Sequence, residues 1–294
     1  METRATGHVR LADGRRLDIR DTGPRTGDVV LLHPGTPMGA ARLGFIEDAA
    51  HARGLRFVVV SRPGYGDSTR LPGRAVAHAV ADTAELLDAL AVDRLHVIGY
   101  SGGGPHALAC AARLDGVRGA AVIGGVAPRH DGFDWFAGMG EANVHGFTTC
   151  IEGGEPAMRA ILEQDPDRMQ SVTVDQMVQQ MDSLLPDVDR TLLSEDLGAD
   201  ILGAIQEAYR VGVDGTLDDN LSFVSPWGFG LDEIGVPVDI WHGTVDRMSP
   251  VQHGRYLAAQ VPTARAHVFE GEGHISVLVG MIDTILDRLC DTPS

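Results

Sequence analysis

The stretch RLHVIGYSGGGPHALACAARL, residues 94–114, decides how the rest of the chain is read. An apolar run at 95–98 has the character of a strand, and residues 102–114 form an alanine-rich helix candidate. Between them lie Gly99, Tyr100, Ser101, Gly102 and Gly103, the pattern Gly-x-Ser-x-Gly. A serine on so sharp a strand-to-helix turn has strained backbone angles, so the residues two before and two after it must be too small to clash. Gly99 and Gly103 meet that need. The turn would lift the Ser101 hydroxyl above the sheet at a helix N-terminus, where backbone N–H groups and the helix dipole stabilise an oxyanion. Gly102, Gly104 and Ala107 also fit the spacing of a dinucleotide-binding fingerprint. That fingerprint follows the first strand of its unit and is answered by an acid at the next strand end, and residues 122–127 contain none.

Towards the N-terminus, residues 8–11 and 15–21 flank Ala12, Asp13 and Gly14 and read as a hairpin. Largely apolar runs at 29–32, 57–60, 95–98, 120–126 and 236–241 predict strands buried on both faces of a parallel sheet. Helical patterns at 76–90 and 102–114 alternate with them, which predicts an α/β fold: a doubly wound, mostly parallel sheet with its site at the carboxyl ends of the strands. The alternation stops between Pro128 and Gly235, where helix-like stretches at 174–185 and 199–211 occur without a strong buried strand. The expected organisation is a core of residues 1–128 and 236–294 with a helical, acidic cap of residues 129–235. Phe133, Trp135, Phe136, Phe147, Tyr209, Phe223, Trp227 and Phe229 fall in this insertion, as pocket lining or as its own small core.

The net charge of −17 is concentrated there: residues 130–235 hold 21 Asp and Glu against four Arg. Such a segment repels phosphate backbones and anionic lipid surfaces, so a neutral or cationic small molecule is the expected partner, and neither nucleic acid nor membrane is. All 24 basic residues are arginine. Without lysine there can be no Schiff base, no pyridoxal-phosphate lysine, no Walker lysine and no Ser-Lys dyad. No apolar run approaches the roughly 18 residues of a membrane span, and residues 1–21 lack the apolar region of a secretory signal, so a cytoplasmic location is expected. Cys110, Cys150 and Cys290 are expected to be reduced and buried. His33, His106, His130 and His253 lack metal-ligand spacing, and no metal or other cofactor is expected.

A serine hydroxyl needs a base within reach and a third group to hold that base in the right tautomer. Asp246, in VPVDIWHGTVDRMSP, and His274, in AHVFEGEGHISVL, each follow a strand-like segment, and the order Ser, Asp, His is a known one for such a trio. Glu270 and Glu272 are alternative acids beside His274. His242 reads as a structural histidine beneath the acid turn, and Arg62, Tyr65, Gly66 and Asp67 as a tight turn.

These pieces together resemble the α/β-hydrolase superfamily over nearly the whole length: LLHPGTP at 31–37, SRPGYGDS at 61–68, GYSGGGPHA at 99–107, WHGTVDRMSP at 241–250 and GEGH at 271–274. The resemblance implies an α/β-hydrolase fold whose insertion is a helical lid. It also implies an oxyanion hole made by the backbone N–H groups of Thr36 and Gly102. Pro34 stands where the family's first-loop motif has histidine, so that residue's supporting contacts are lost or pass to His33. The expected function is cofactor-free serine hydrolysis of a carboxylic ester or related acyl compound, with Ser101 as nucleophile, His274 as base and Asp246 as its orienting acid. The alternatives are an aminopeptidase similar to proline iminopeptidases, whose acidic lid binds an α-amino group, and a non-hydrolytic lyase, cyclase or receptor.

Overall fold

Strands β1 (Gly7–Arg10) and β2 (Arg16–Thr22) form the expected antiparallel hairpin, with Gly14 at φ 88° in the turn. The computed structural model describes residues 6–164, 168–193 and 195–291. β2 pairs antiparallel with β4 (Arg56–Val60). From there β3 (Val29–His33), β5 (Leu95–Tyr100), β6 (Val117–Ile123), β7 (Val238–Gly243) and β8 (Ala264–Phe269) continue the sheet in parallel, giving the order β1-β2-β4-β3-β5-β6-β7-β8.

Successive side chains of a strand face opposite sides of its sheet, so strands covered by helices on both sides must be apolar throughout. Val30 and Leu32 of β3 accordingly join the cluster on one face, with Ile46 of α1 (Gly44–Ala52) and Val277 of α11 (His274–Cys290). Val29 and Leu31 join the other, with Leu86 of α2 (His78–Leu90) and Ala107 of α3 (Gly104–Arg113). Helix α10 (Val251–Gln260) adds Leu257 to a further cluster with Val122 and Ile240.

Between β6 and β7 the described residues form six α-helices: α4 (Glu141–Leu162), α5 (Arg168–Ser171), α6 (Val174–Gln180), α7 (Asp187–Leu192), α8 (Glu195–Ala208) and α9 (Asp214–Val224). α4 is broken at Gly154, whose φ of 60° lies two residues before Pro156. Most buried apolar residues of this insertion join clusters of the sheet. Ile205 packs in the cluster of Leu32 and Ile98, and Trp135 and Phe223 pack in the cluster of Val122.

Several boundaries differ from the sequence reading by a few residues, among them β7, α6 and α8, and two of the differences lie at the carboxyl ends of β6 and β5. β6 ends at Ile123 instead of continuing to Val126, because Gly124 turns left-handed at φ 56° to pass under an imidazole. The helix expected at 102–114 opens with a separate 3-10 turn, Ser101–Gly103, before α3 begins. Cys110 and Cys150 are buried as expected, whereas Cys290, at the last turn of the final helix, is exposed.

Candidate active site

β3 and β5 are neighbours in the sheet while their following helices lie on opposite faces, which opens a crevice beyond their carboxyl ends. The loop after β3 carries Thr36, and the turn after β5 carries Ser101. Ser101 has φ 52°, a left-handed conformation unusual for a side chain of its kind. The glycines around it show why the turn needs them. A Cβ at Gly99 would lie 2.7 Å from the Ala107 Cβ, and one at Gly103 would run into the His33 carbonyl. His106, one turn into the helix, is buried. Its Nδ1 lies 3.0 Å from the Gly102 carbonyl oxygen, which can only accept, so the ring donates there.

His274 opens α11 directly after β8, and Asp246 lies in the loop after β7. The imidazole Nδ1 is 2.7 Å from Asp246 Oδ2. Asp246 Oδ1 in turn accepts the N–H groups of Met248 and Ser249, at 2.8 and 3.0 Å, so the carboxylate is fixed on both oxygens. His242 Nε2 lies 3.4 Å from Asp246 Oδ2 and 2.5 Å from the Ser249 carbonyl, a histidine beneath the acid turn as the sequence suggested. Burial alone would lower the His274 imidazole, but the charge and hydrogen bond of Asp246, with a further push from Asp189, hold it above its ordinary 6.5. Burial would likewise raise the Asp246 carboxyl, and His274 and His242 outweigh it and keep it below the carboxylate range. The other ring nitrogen, His274 Nε2, is buried and has no hydrogen-bond partner among the described residues. Glu270 is exposed and Glu272 half-buried, and it is Asp246 that meets the imidazole.

The first loop is held from beneath. Arg62, read from sequence as part of a tight turn, is buried and donates to the carbonyls of Pro34 and Gly35 and to Thr36 Oγ1. Its charge is met by Asp219 of α9, 2.6 Å away. The same carboxylate accepts Arg74 Nη2 at 2.5 Å, the Tyr65 hydroxyl at 2.8 Å and the Thr36 hydroxyl at 2.5 Å. Burial would raise Asp219, but Arg62 and Arg74 keep it well below the carboxylate range. With Pro34 in the first loop, the supporting contacts pass to Arg62. His33 instead turns its Nε2 towards the Cys110 sulfur at 3.6 Å, and burial and Arg62 lower it to about 3.

Ser101, Thr36, Pro37, Asn143 and Met248 are shared walls of two cavities. The larger, about 310 Å³, adds His274 together with Met177, Met181, Ile201, Ile205 and Tyr209. The smaller, about 200 Å³, adds Gly102, Phe147, Met158, Thr216, Asn220 and Phe223. Of the aromatics in the insertion, Tyr209, Phe147 and Phe223 thus line cavities, and Phe147 and Phe223 also pack in the core cluster of Trp135 and Trp227. No carboxylate or guanidinium lines either cavity among the described residues. No helix among them is long and apolar enough to cross a membrane.

The sequence profile of the alpha/beta hydrolase fold family matches residues 28–280. Over 283 residues the chain is 25% identical to 2-hydroxy-6-oxononadienedioate/2-hydroxy-6-oxononatrienedioate hydrolase 2 of Pseudomonas putida, covering 93% of this chain and 91% of that one. A shorter match, 32% over 96 residues, links it to the uncharacterized hydrolase YcgS of Bacillus subtilis and spans about a third of the length of each. Among solved structures, an esterase from Exiguobacterium antarcticum superimposes with a TM-score of 0.67 at 17% identity, over 97% of this chain and 99% of that one.

Proposed function

From the premise that the chain belongs to the alpha/beta hydrolase fold family and is a hydrolase, we propose that it cleaves an uncharged ester or related acyl compound through an acyl-enzyme on Ser101. The observation that carries this reading is the state of His274, whose Nδ1 is tied to Asp246 while its buried Nε2 is unpaired on a cavity that Ser101 also lines. In this reaction Nε2 takes the Ser101 proton as Oγ attacks the carbonyl carbon, and Asp246 stabilises the imidazolium that forms. The carbonyl oxygen becomes an oxyanion facing the backbone N–H groups of Thr36 and Gly102. The bond to the leaving group then breaks as the imidazolium returns the proton to it. A water, deprotonated by the same nitrogen, releases the acid and restores Ser101.

The uncharged lining supports the substrate class. The dioate named for the Pseudomonas putida relative carries two carboxylates, and a buried carboxylate needs a cation or a set of donors that these cavities do not offer among their described residues. An aminopeptidase needs a carboxylate for the substrate's ammonium, and the buried carboxylates of the insertion among the described residues, Asp189, Asp218 and Asp219, are all engaged elsewhere. The insertion, whose α4 walls both cavities, α6 and α8 the larger and α9 the smaller, serves as the lid. A panel of neutral aryl esters, aminoacyl anilides and monoesters of dicarboxylic acids tests the reading. Neutral esters should be turned over best, and Ser101→Ala should abolish that turnover. A preference for either charged class would contradict it.

A further inference from the structure

We infer that the insertion is a working half of the active site, two of its buried carboxylates acting as positioning residues: Asp189 for the base and Asp219 for the oxyanion loop. The inference rests on the serine-hydrolase reading above. Asp189 belongs to α7, yet its carboxylate reaches across to the start of α11. Oδ2 accepts the His274 N–H at 2.7 Å, and Oδ1 accepts those of Ile275 and Ser276 at 3.1 and 2.8 Å. The first N–H groups of a helix have no partner within it, and a side-chain cap satisfies one or two of them. Here one carboxylate from another element takes three in succession, beginning with the residue that carries the base. The fit is close, since a Cβ at Gly273 would collide with the Asp189 carboxyl. Asp246 therefore fixes the ring of His274 and Asp189 its backbone.

The groups around the imidazole are Asp246 and Ser249 from the loop after β7, with His242 of β7 behind Asp246, Tyr100 from β5 with ring centroids 5.0 Å apart, and Asp189 from α7 at the backbone N–H. Of these, Asp246 and Asp189 are the anions. Removing the charge of Asp189 leaves Asp246 in place and takes away part of what favours the imidazolium.

Asp219 plays the matching part on the other side of Ser101. It binds the Thr36 hydroxyl directly and neutralises Arg62, which grips the carbonyls of Pro34 and Gly35. The Thr36 N–H is thereby aimed by a loop whose whole polar underside is tied to one carboxylate of α9.

The two roles give different signatures. Asp189→Asn should move the acid limb of kcat/KM and the NMR titration of the His274 ring to lower pH by about half a unit, because a nearby anion favours the charged ring. Asp219→Asn should leave that limb in place, lower kcat about a hundredfold at nearly constant KM, and weaken a boronic acid that mimics the tetrahedral adduct. If burying Arg62 and Arg74 without their counter-ion prevents folding, Thr36→Val cuts the loop from Asp219 while leaving both ion pairs and should show the same loss in kcat and boronate affinity. An unmoved acid limb and ring titration in Asp189→Asn would overturn the first role, and full boronate affinity in the folded loop variant would overturn the second. Failure of the underlying reading shows separately, as wild-type protein that hydrolyses no ester in a Ser101-dependent way.

Discussion

His274 sits between two opposing influences, burial that disfavours its charge and carboxylates that favour it, and the carboxylates win. As the proposed base His274 would work as the neutral ring, so activity should fall on acidification through a value above 6.5. The linked stability runs the other way. A ring whose folded value is raised contributes most below the ordinary imidazole range, and that contribution is lost as pH rises through the folded value. A pH-rate profile with its acid limb below the ordinary histidine range would contradict this placement. Ser101→Ala and His274→Ala should each reduce turnover by several orders of magnitude with the fold intact, and Asp246→Asn by about four, since an amide holds the wrong tautomer. Retention of about a tenth of the rate by Ser101→Ala, a loss of only about 1.4 kcal/mol of barrier stabilisation, would exclude Ser101 as nucleophile.

At the scale of elements, what was legible in the sequence is what local sterics and periodicity dictate. The turn at Ser101 could be read because its glycines are spaced by a backbone constraint, and β3, β4, β5 and β7 because strands covered on both faces are largely apolar. β8, read only as a strand-like segment before His274, carries a weaker signal, since it is the edge strand and half of its residues are exposed. The contacts of Asp189 and Asp219 were out of reach for another reason. Their partners His274 and Arg62 lie 85 and 157 residues away, and in a segment with 21 acids nothing local marks these two. Helix α4 offers a test of the cavity walls. Gly146 lines the smaller cavity, and a Cβ there meets nothing within 4 Å. Gly146→Leu should therefore fold and bind normally for esters with the smallest arms while lowering kcat/KM about tenfold or more for bulky ones, a change in reach that corresponds to about 1.4 kcal/mol. Equal losses across the ester series would show that this cavity does not receive substrate.

Across the whole molecule, the acidity of the insertion meets arginines more than it meets the site. Asp218 pairs with Arg70 and Asp214 with Arg159, both at under 3 Å, and Glu207 pairs with Arg210. The cavities themselves present no charge among their described residues. A net charge of −17 still surrounds them, so long-range effects should follow substrate charge. As salt shortens the screening length from about 30 Å at 0.01 M to about 8 Å at physiological strength, kcat/KM for neutral esters should stay flat and that for anionic esters should rise. Parallel slopes for both would rule out any field at the entrance. The central claim, that chemistry passes through Ser101, is tested most directly by treating the wild-type protein with a fluorophosphonate and mapping the adduct by mass spectrometry. One adduct per chain is expected, on Ser101, with ester hydrolysis lost in proportion to labelling. An adduct elsewhere, or full hydrolysis in protein labelled at Ser101, would contradict it.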